Sequence, residues 1–203
     1  MSPQQTLDVV SRPDAGNRSG GHRILVRLLR PGTAARRARV VIREVLLRSG
    51  ADAGSIGDAE SAVAELAANA EAYARCPYEL RVVFDGGRPA WCEVVDGDPD
   101  LGGIPAVLDR LRTGGDEPAL DLFGERGRGL LLVHLLSEGR CRAYPTRTCA
   151  TGTPGKAVAF ALPTKTGPRP RSPVPDAGPP GRAGARHPTS PWAPALAGHL
   201  SFP

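Results

Sequence analysis

The sequence predicts an α+β fold: a two-layer sandwich with a mixed, mostly antiparallel sheet and helices on one face. Three observations predict it. Strand-like runs are joined by a short turn at Asp85-Gly86-Gly87, which signals a hairpin. The helical runs are grouped and do not alternate one-for-one with strands, unlike a parallel α/β sheet. The chain has 203 residues, 40% of them hydrophobic but only 4% aromatic, so it can build one core made mostly of Val, Leu, Ile and Ala.

Each element has its own local reason. Arg23 to Leu29 is strand-like, and Pro31-Gly32 breaks it. Thr33 to Arg48 is helical: Ala38, Val41, Ile42, Val45 and Leu46 fall on one face, with arginines opposite. Residues 50–54 form a loop. Ser55 with Asp58 resembles a capping box that opens a second helix running to about Ala74, where Pro77 stops it. Tyr78 to Phe84 and Pro89 to Val95 are the hairpin strands. Ile104 to Leu111 is a short helix, and Thr113 to Arg126 a loop. Gly127 to Ser137 is an apolar helix opened by Gly-Arg-Gly. Arg140 to Pro145 and Lys156 to Leu162 complete the sheet. The domain therefore spans 22–163. Residues 1–21 are polar and Gly/Ser-rich, and 164–203 are Pro/Gly-rich and basic. Both tails are expected to be disordered, because such compositions bury too little apolar surface to offset ordering entropy.

Charge placement excludes a nucleic-acid groove in the domain. The net charge is +5, but the tail from residue 164 carries Lys165, Arg169, Arg171, Arg182 and Arg186 against Asp176 alone. The domain is left near neutral, and neutralising many phosphates requires clustered charge. Its one basic cluster, Arg36, Arg37, Arg39 and Arg43, reads as the solvated face of the first helix. The four cysteines lack Cys-x-x-Cys spacing, and the four histidines lack ligand spacing, so no zinc site is indicated. His134 reads as a packed residue of the apolar helix. No run has signal-peptide or membrane length, and a cytoplasmic protein with no membrane partner is expected.

The chemistry is carried by the second helix. Glu65 and Asn69 are four apart, so they share one face among Ala62, Leu66, Ala68 and Ala70. A carboxylate and a carboxamide in an apolar stretch need partners, because unpaired burial costs about a few kcal/mol each. A Mg2+ with phosphate would satisfy both. Taken alone, the pair is more simply a locally bonded or solvated one. Two later stretches add to it. Asp96-Gly97 ends a strand where backbone can approach a ligand, and Gly127-Arg128-Gly129 precedes a helix whose N–H groups can cradle phosphate.

Four motifs in order carry a resemblance: Glu65-Leu-Ala-Ala-Asn69-Ala, Val95-Asp96-Gly97-Asp98-Pro99, Gly127-Arg128-Gly129-Leu130-x-Leu-Val133 and Gly155-Lys156-x-Val158. Together they resemble the histidine-kinase-like ATPase domain (GHKL, Bergerat fold), within it the anti-sigma-factor serine/threonine kinase branch. The resemblance covers residues 23–162 and neither tail. It implies Asn69 as Mg2+ ligand, Glu65 as catalytic base and Asp96 as acceptor from the adenine amino group. It implies Gly97, Gly127, Arg128, Gly129 and Leu130 around ATP, with a lid over roughly Leu101 to Arg126. It also implies a sigma factor or an anti-sigma antagonist as partner, phosphorylation of that antagonist, and a homodimer. The alternative is a degenerate or nucleotide-responsive binding module without kinase activity.

The sequence departs from the family pattern in three places. Glu71 and Tyr73 stand where a basic residue or His often follows the Asn. Asp98 stands where Gly is usual. The stretch from Arg140 to Gly155 is longer and carries two cysteines.

Overall fold

In the computed structural model, residues 10–11, 23–113 and 124–163 are described. In chain order they form β1 (Val10–Ser11), β2 (Arg23–Leu29), α1 (Ala34–Arg48), α2 (Ala53–Tyr73), β3 (Tyr78–Asp85) and β4 (Arg88–Asp96). Then follow α3 (Ile104–Thr113), α4 (Gly124–Leu136), β5 (Cys141–Arg147) and β6 (Pro154–Ala161). The α+β reading holds. The sheet order is β1-β2-β3-β4-β6-β5, and every described pairing is antiparallel, so the mixed component expected from sequence is absent among them. β1 is a two-residue edge strand within the stretch expected to be disordered. The expected tail 164–203 and the middle of the expected lid lie outside the described residues.

α1 forms where the apolar stripe was read. Ala34, Ala38, Val41, Ile42 and Leu46 are buried, while Arg36, Arg37, Arg39 and Arg43 are exposed. Arg43 crosses to α2 and grips Glu60 with two bonds of 2.6 and 2.8 Å. The start of α2 differs from expectation. Its N-cap is Asp52, whose side chain accepts from the Ser55 amide at 2.9 Å and from the Ser55 hydroxyl at 2.7 Å. A carboxylate reaching the free N–H groups of the first turn outcompetes Ser55 as cap, so the helix begins at Ala53. α4 likewise starts earlier than expected, at Gly124, so its first residues are not loop.

The hairpin turn is as short as the sequence suggested. Gly86 and Gly87 both take positive φ, 56° and 80°, the conformation that matches the strands' twist in a two-residue loop. Alternation along the strands then sorts side chains to two faces. Tyr78, Leu80, Val82 and Phe84 of β3, with Cys92 and Val94 of β4 and Val158 and Phe160 of β6, pack under the helices in the main core. The opposite face carries Val83, Trp91, Val95, Tyr144, Ala157, Ala159 and Ala161 in a second cluster. Burying each of the larger aliphatic residues contributes about 1.5–3 kcal/mol, so Ile56, Val63 and Leu66 of α2 help anchor the helical layer, with its buried alanines letting it pack closely.

The second face also buries charge. Glu79 accepts from Arg81 at 2.7 and 3.1 Å and from the Ala150 amide at 2.7 Å, and Arg81 donates to the Arg147 carbonyl at 2.6 Å. Glu93 accepts from the Tyr144 hydroxyl at 2.6 Å through Oε1, while its buried Oε2 has no partner among the described residues. Burial pushes the Glu93 carboxyl above its ordinary range, with Arg81 and Tyr144 opposing.

Candidate functional site

Strand parity decides where Asp96 goes. Cys92 and Val94 face the helices, so Asp96, two residues further along β4, projects into the same layer. It is 3% exposed. The adjoining Gly97 is wedged against the end of α2: its amide donates to the Arg75 carbonyl at 2.8 Å, and a Cβ there would strike the Cys76 carbonyl oxygen. No residue with a side chain fits this approach, and it brings Asp96 to the C-terminal end of α2. Asn69 lies about one turn before that end and Glu65 one turn earlier still.

α4 supplies the other wall. A Cβ at Gly129 would lie 3.0 Å from both Asn69 Nδ2 and Glu65 Oε2. The α4 backbone therefore lies directly over the pair, with less room between them than a methyl group needs. Both side chains are half-buried, and neither is taken up in a hydrogen bond or ion pair among the described residues. Gly127 belongs to the first turn of α4, where backbone N–H groups have no partner within the helix and can face an anion. Arg128 is exposed, and Leu130 is buried in the main core beneath.

The structure thus brings Glu65, Asn69 and Gly129 together and sets Asp96 and Gly97 at the end of the same helix. Glu71, which sequence could have turned toward the phosphates, accepts instead from the Gly32 amide in the β2–α1 turn. Of the expected lid, α3 is docked: Leu108 is 1% exposed, and Arg112 donates to the Cys141 carbonyl at 2.6 Å. Residues 114–123 lie outside the description. His134 is half-buried with its Nδ1 3.8 Å from Cys141 Sγ, and burial lowers its pKa, with Arg112 adding to the effect.

Sequence reasoning missed the partner of Asp96. Lys156 of β6 stands opposite it in register and donates from Nζ to Asp96 Oδ1 at 2.9 Å. The Asp98 amide donates to the same oxygen at 2.9 Å. Burial raises the Asp96 carboxyl pKa, and the bonds from Lys156 and Asp98 work against that. The signal was present as Gly155-Lys156, one of only two lysines in the chain. Gly155 is required for the approach, since a Cβ there would collide with the Asp96 carbonyl oxygen.

The donor set suits a hard cation shared with a ligand. Among the described residues no group of three or more His, Cys, Asp or Glu could hold a metal alone. One amide oxygen from Asn69 beside the Glu65 carboxylate fits Mg2+, which takes one or two protein oxygens and completes its shell with phosphate and water. A separate cleft of about 620 Å3 lies between β2, α1 and the Cys76–Tyr78 stretch; Arg27, Arg30, Arg36 and Arg37 are among its lining residues. Among the described residues no helix is long and apolar enough to cross a membrane.

A search of curated proteins finds no match to the chain. A family model described as a histidine kinase-like ATPase domain matches residues 29–151, from the end of β2 to the loop after β5, and takes in Glu65, Asn69, Asp96 and Gly129. The chain belongs to the histidine kinase-like ATPase domain family.

Proposed function

We propose that this chain is an ATP-binding regulator of the anti-sigma-factor kinase type, which sequesters a protein partner and phosphorylates an antagonist on Ser or Thr. The observation that supports it best is the convergence of Glu65 and Asn69, both uncommitted among the described residues, under the Gly129 backbone. Family membership supports ATP with Mg2+ as the ligand.

Each residue has a task in that chemistry. Asp96 accepts from the adenine amino group at the β4 end. The first turn of α4 offers N–H groups to the phosphates. Asn69 would hold Mg2+, which when bound offsets negative charge on the phosphate oxygens. Glu65 takes the proton of the attacking hydroxyl as its oxygen bonds to the γ-phosphorus and the bond from phosphorus to the β,γ-bridging oxygen breaks, leaving ADP. A binding-only reading draws on a different observation. Among the described residues the cleft lined by Arg27, Arg30, Arg36 and Arg37 has no acidic residue in its lining, and it suits an acidic partner surface, with nucleotide acting as a signal.

Calorimetric titration of the full chain with ATP and Mg2+ tests the nucleotide site. Asn69→Ala is expected to weaken binding about tenfold or more, as loss of a charge-assisted contact does. A wild-type chain that takes up no heat of ATP binding sinks both readings. Glu65→Gln separates them: the kinase reading expects ATP binding to persist while ADP production in the presence of the phosphoacceptor protein disappears.

A further inference from the structure

Lys156 is an unusual choice for this chain. Of 26 basic residues only two are lysines, and this one is 7% exposed. A guanidinium is a planar fork that would span both oxygens of a facing carboxylate, whereas an ammonium is a point donor that can serve one of them. Lys156 Nζ lies 2.9 Å from Asp96 Oδ1, 3.3 Å from the Asp98 carbonyl oxygen and 3.7 Å from Asp98 Oδ2. With the Asp98 amide also on Oδ1 at 2.9 Å, that oxygen is served twice, and Oδ2 of Asp96 receives no hydrogen bond among the described residues.

We propose that Lys156 is a positioning residue for base recognition: it holds Asp96 as a carboxylate with Oδ2 presented to the 6-amino group of a purine nucleotide, and ties the Asp98 stretch to the same end of the sheet. The inference rests on the nucleotide-binding reading and goes beyond it to what sets the base preference. Among the described residues the groups that face Asp96 are Lys156 from β6, Asp98 from the segment after β4 and Tyr78 from β3, with Glu71 of α2 and Cys76 just after it acting on Tyr78. Burial favours the protonated carboxyl, and Lys156 is the one cation among these groups. Without it, burial prevails as pH falls. A protonated Asp96 donates where it formerly accepted, so it no longer prefers a 6-amino over a 6-oxo purine.

The test is calorimetric binding of ADP and inosine diphosphate to the full chain, in wild type, Lys156→Met, Lys156→Gln and Lys156→Arg, from about pH 6 to about pH 9. The wild type is expected to prefer ADP by about tenfold or more across the range. In Lys156→Met the preference is expected to fall to within about twofold at the acid end and to recover as pH rises. Lys156→Arg keeps the cation, so its preference stays independent of pH. Lys156→Gln is neutral and hydrogen-bonding, so it should follow Lys156→Met, and it carries the test if the Met variant does not fold. A neutral variant that weakens both nucleotides equally, or discriminates as the wild type does at every pH, overturns the positioning role and leaves the nucleotide site standing. A wild type that binds neither nucleotide overturns the site itself, and this inference with it.

Discussion

On one face of the sheet Glu79 and Arg81 form a buried pair, and on the other Asp96 and Lys156 do. Glu79 accepts from Arg81 twice through Oε2 and from the Ala150 amide through Oε1, while Arg81 spends its remaining reach on the Arg147 carbonyl. Both Glu79 oxygens are thus in use. Among the described residues Asp96 has two donors on one oxygen and none on the other. The first arrangement closes on itself and holds the β5–β6 loop against β3. The second is built with the same chemistry but leaves an acceptor at the end of α2, where a ligand can complete it. Burial alone does not distinguish these two ion pairs; the acceptor left over does.

The largest expected effect tests the closed pair. Arg81→Met strands Glu79 in a dry site and is expected to lower unfolding free energy by about 3–5 kcal/mol. Lys156→Met is expected to cost less, about 1–2 kcal/mol, because Asp96 can take up a proton. Equal losses in urea denaturation would erase the distinction between the two faces. Comparable in size is Gly155→Ala, whose methyl group meets the Asp96 backbone and is expected to cost about 1–3 kcal/mol. Gly129→Ala should behave differently. Its new contacts are the movable ends of Glu65 and Asn69, and alanine favours the helix, so stability is expected to stay within about 1 kcal/mol. ATP affinity should nevertheless drop, measured by the same titration, because the added methyl fills the clearance over the pair.

The smallest effect is a slope. The Glu93 carboxyl is raised by burial, so the folded state holds its proton to higher pH than the unfolded chain does. This group's contribution to stability therefore declines as pH rises from about its ordinary value of 4.5 through the raised folded value. Glu93→Gln is expected to flatten that part of the pH–stability curve, read by thermal unfolding at a series of pH values. A curve that keeps its full wild-type slope would show that Glu93 is not its source.

The elements were legible because their signals are local. The arginine-backed stripe of α1, the Gly86-Gly87 turn and the alternation of β3 and β4 each act within a few residues. The boundary of α2 was misplaced because Asp52 and Ser55 both look like caps, and only geometry shows the carboxylate reaching the helix amides. The order in which β6 inserts between β4 and β5 has no local signature, and neither does any contact that depends on it. Lys156 is 60 residues from Asp96 in sequence, so their pairing could not be read from spacing. Glu65, Asn69 and Gly129 were legible only through the order of motifs. The direction of Glu71, away from the pair and toward Gly32, required the β2–α1 turn to be placed.

The scarcity of lysine has a consequence for chemical labelling. Residues 1–164 contain a single side-chain amine, that of Lys156, and it sits near the start of β6, paired with Asp96. An ammonium held by a carboxylate and shielded from solvent is a poor nucleophile, so acylating reagents that pass over guanidinium groups are expected to spare Lys156 while the domain is folded. Modification at Lys156 would then report opening of the Asp96 end of the sheet without any label being introduced.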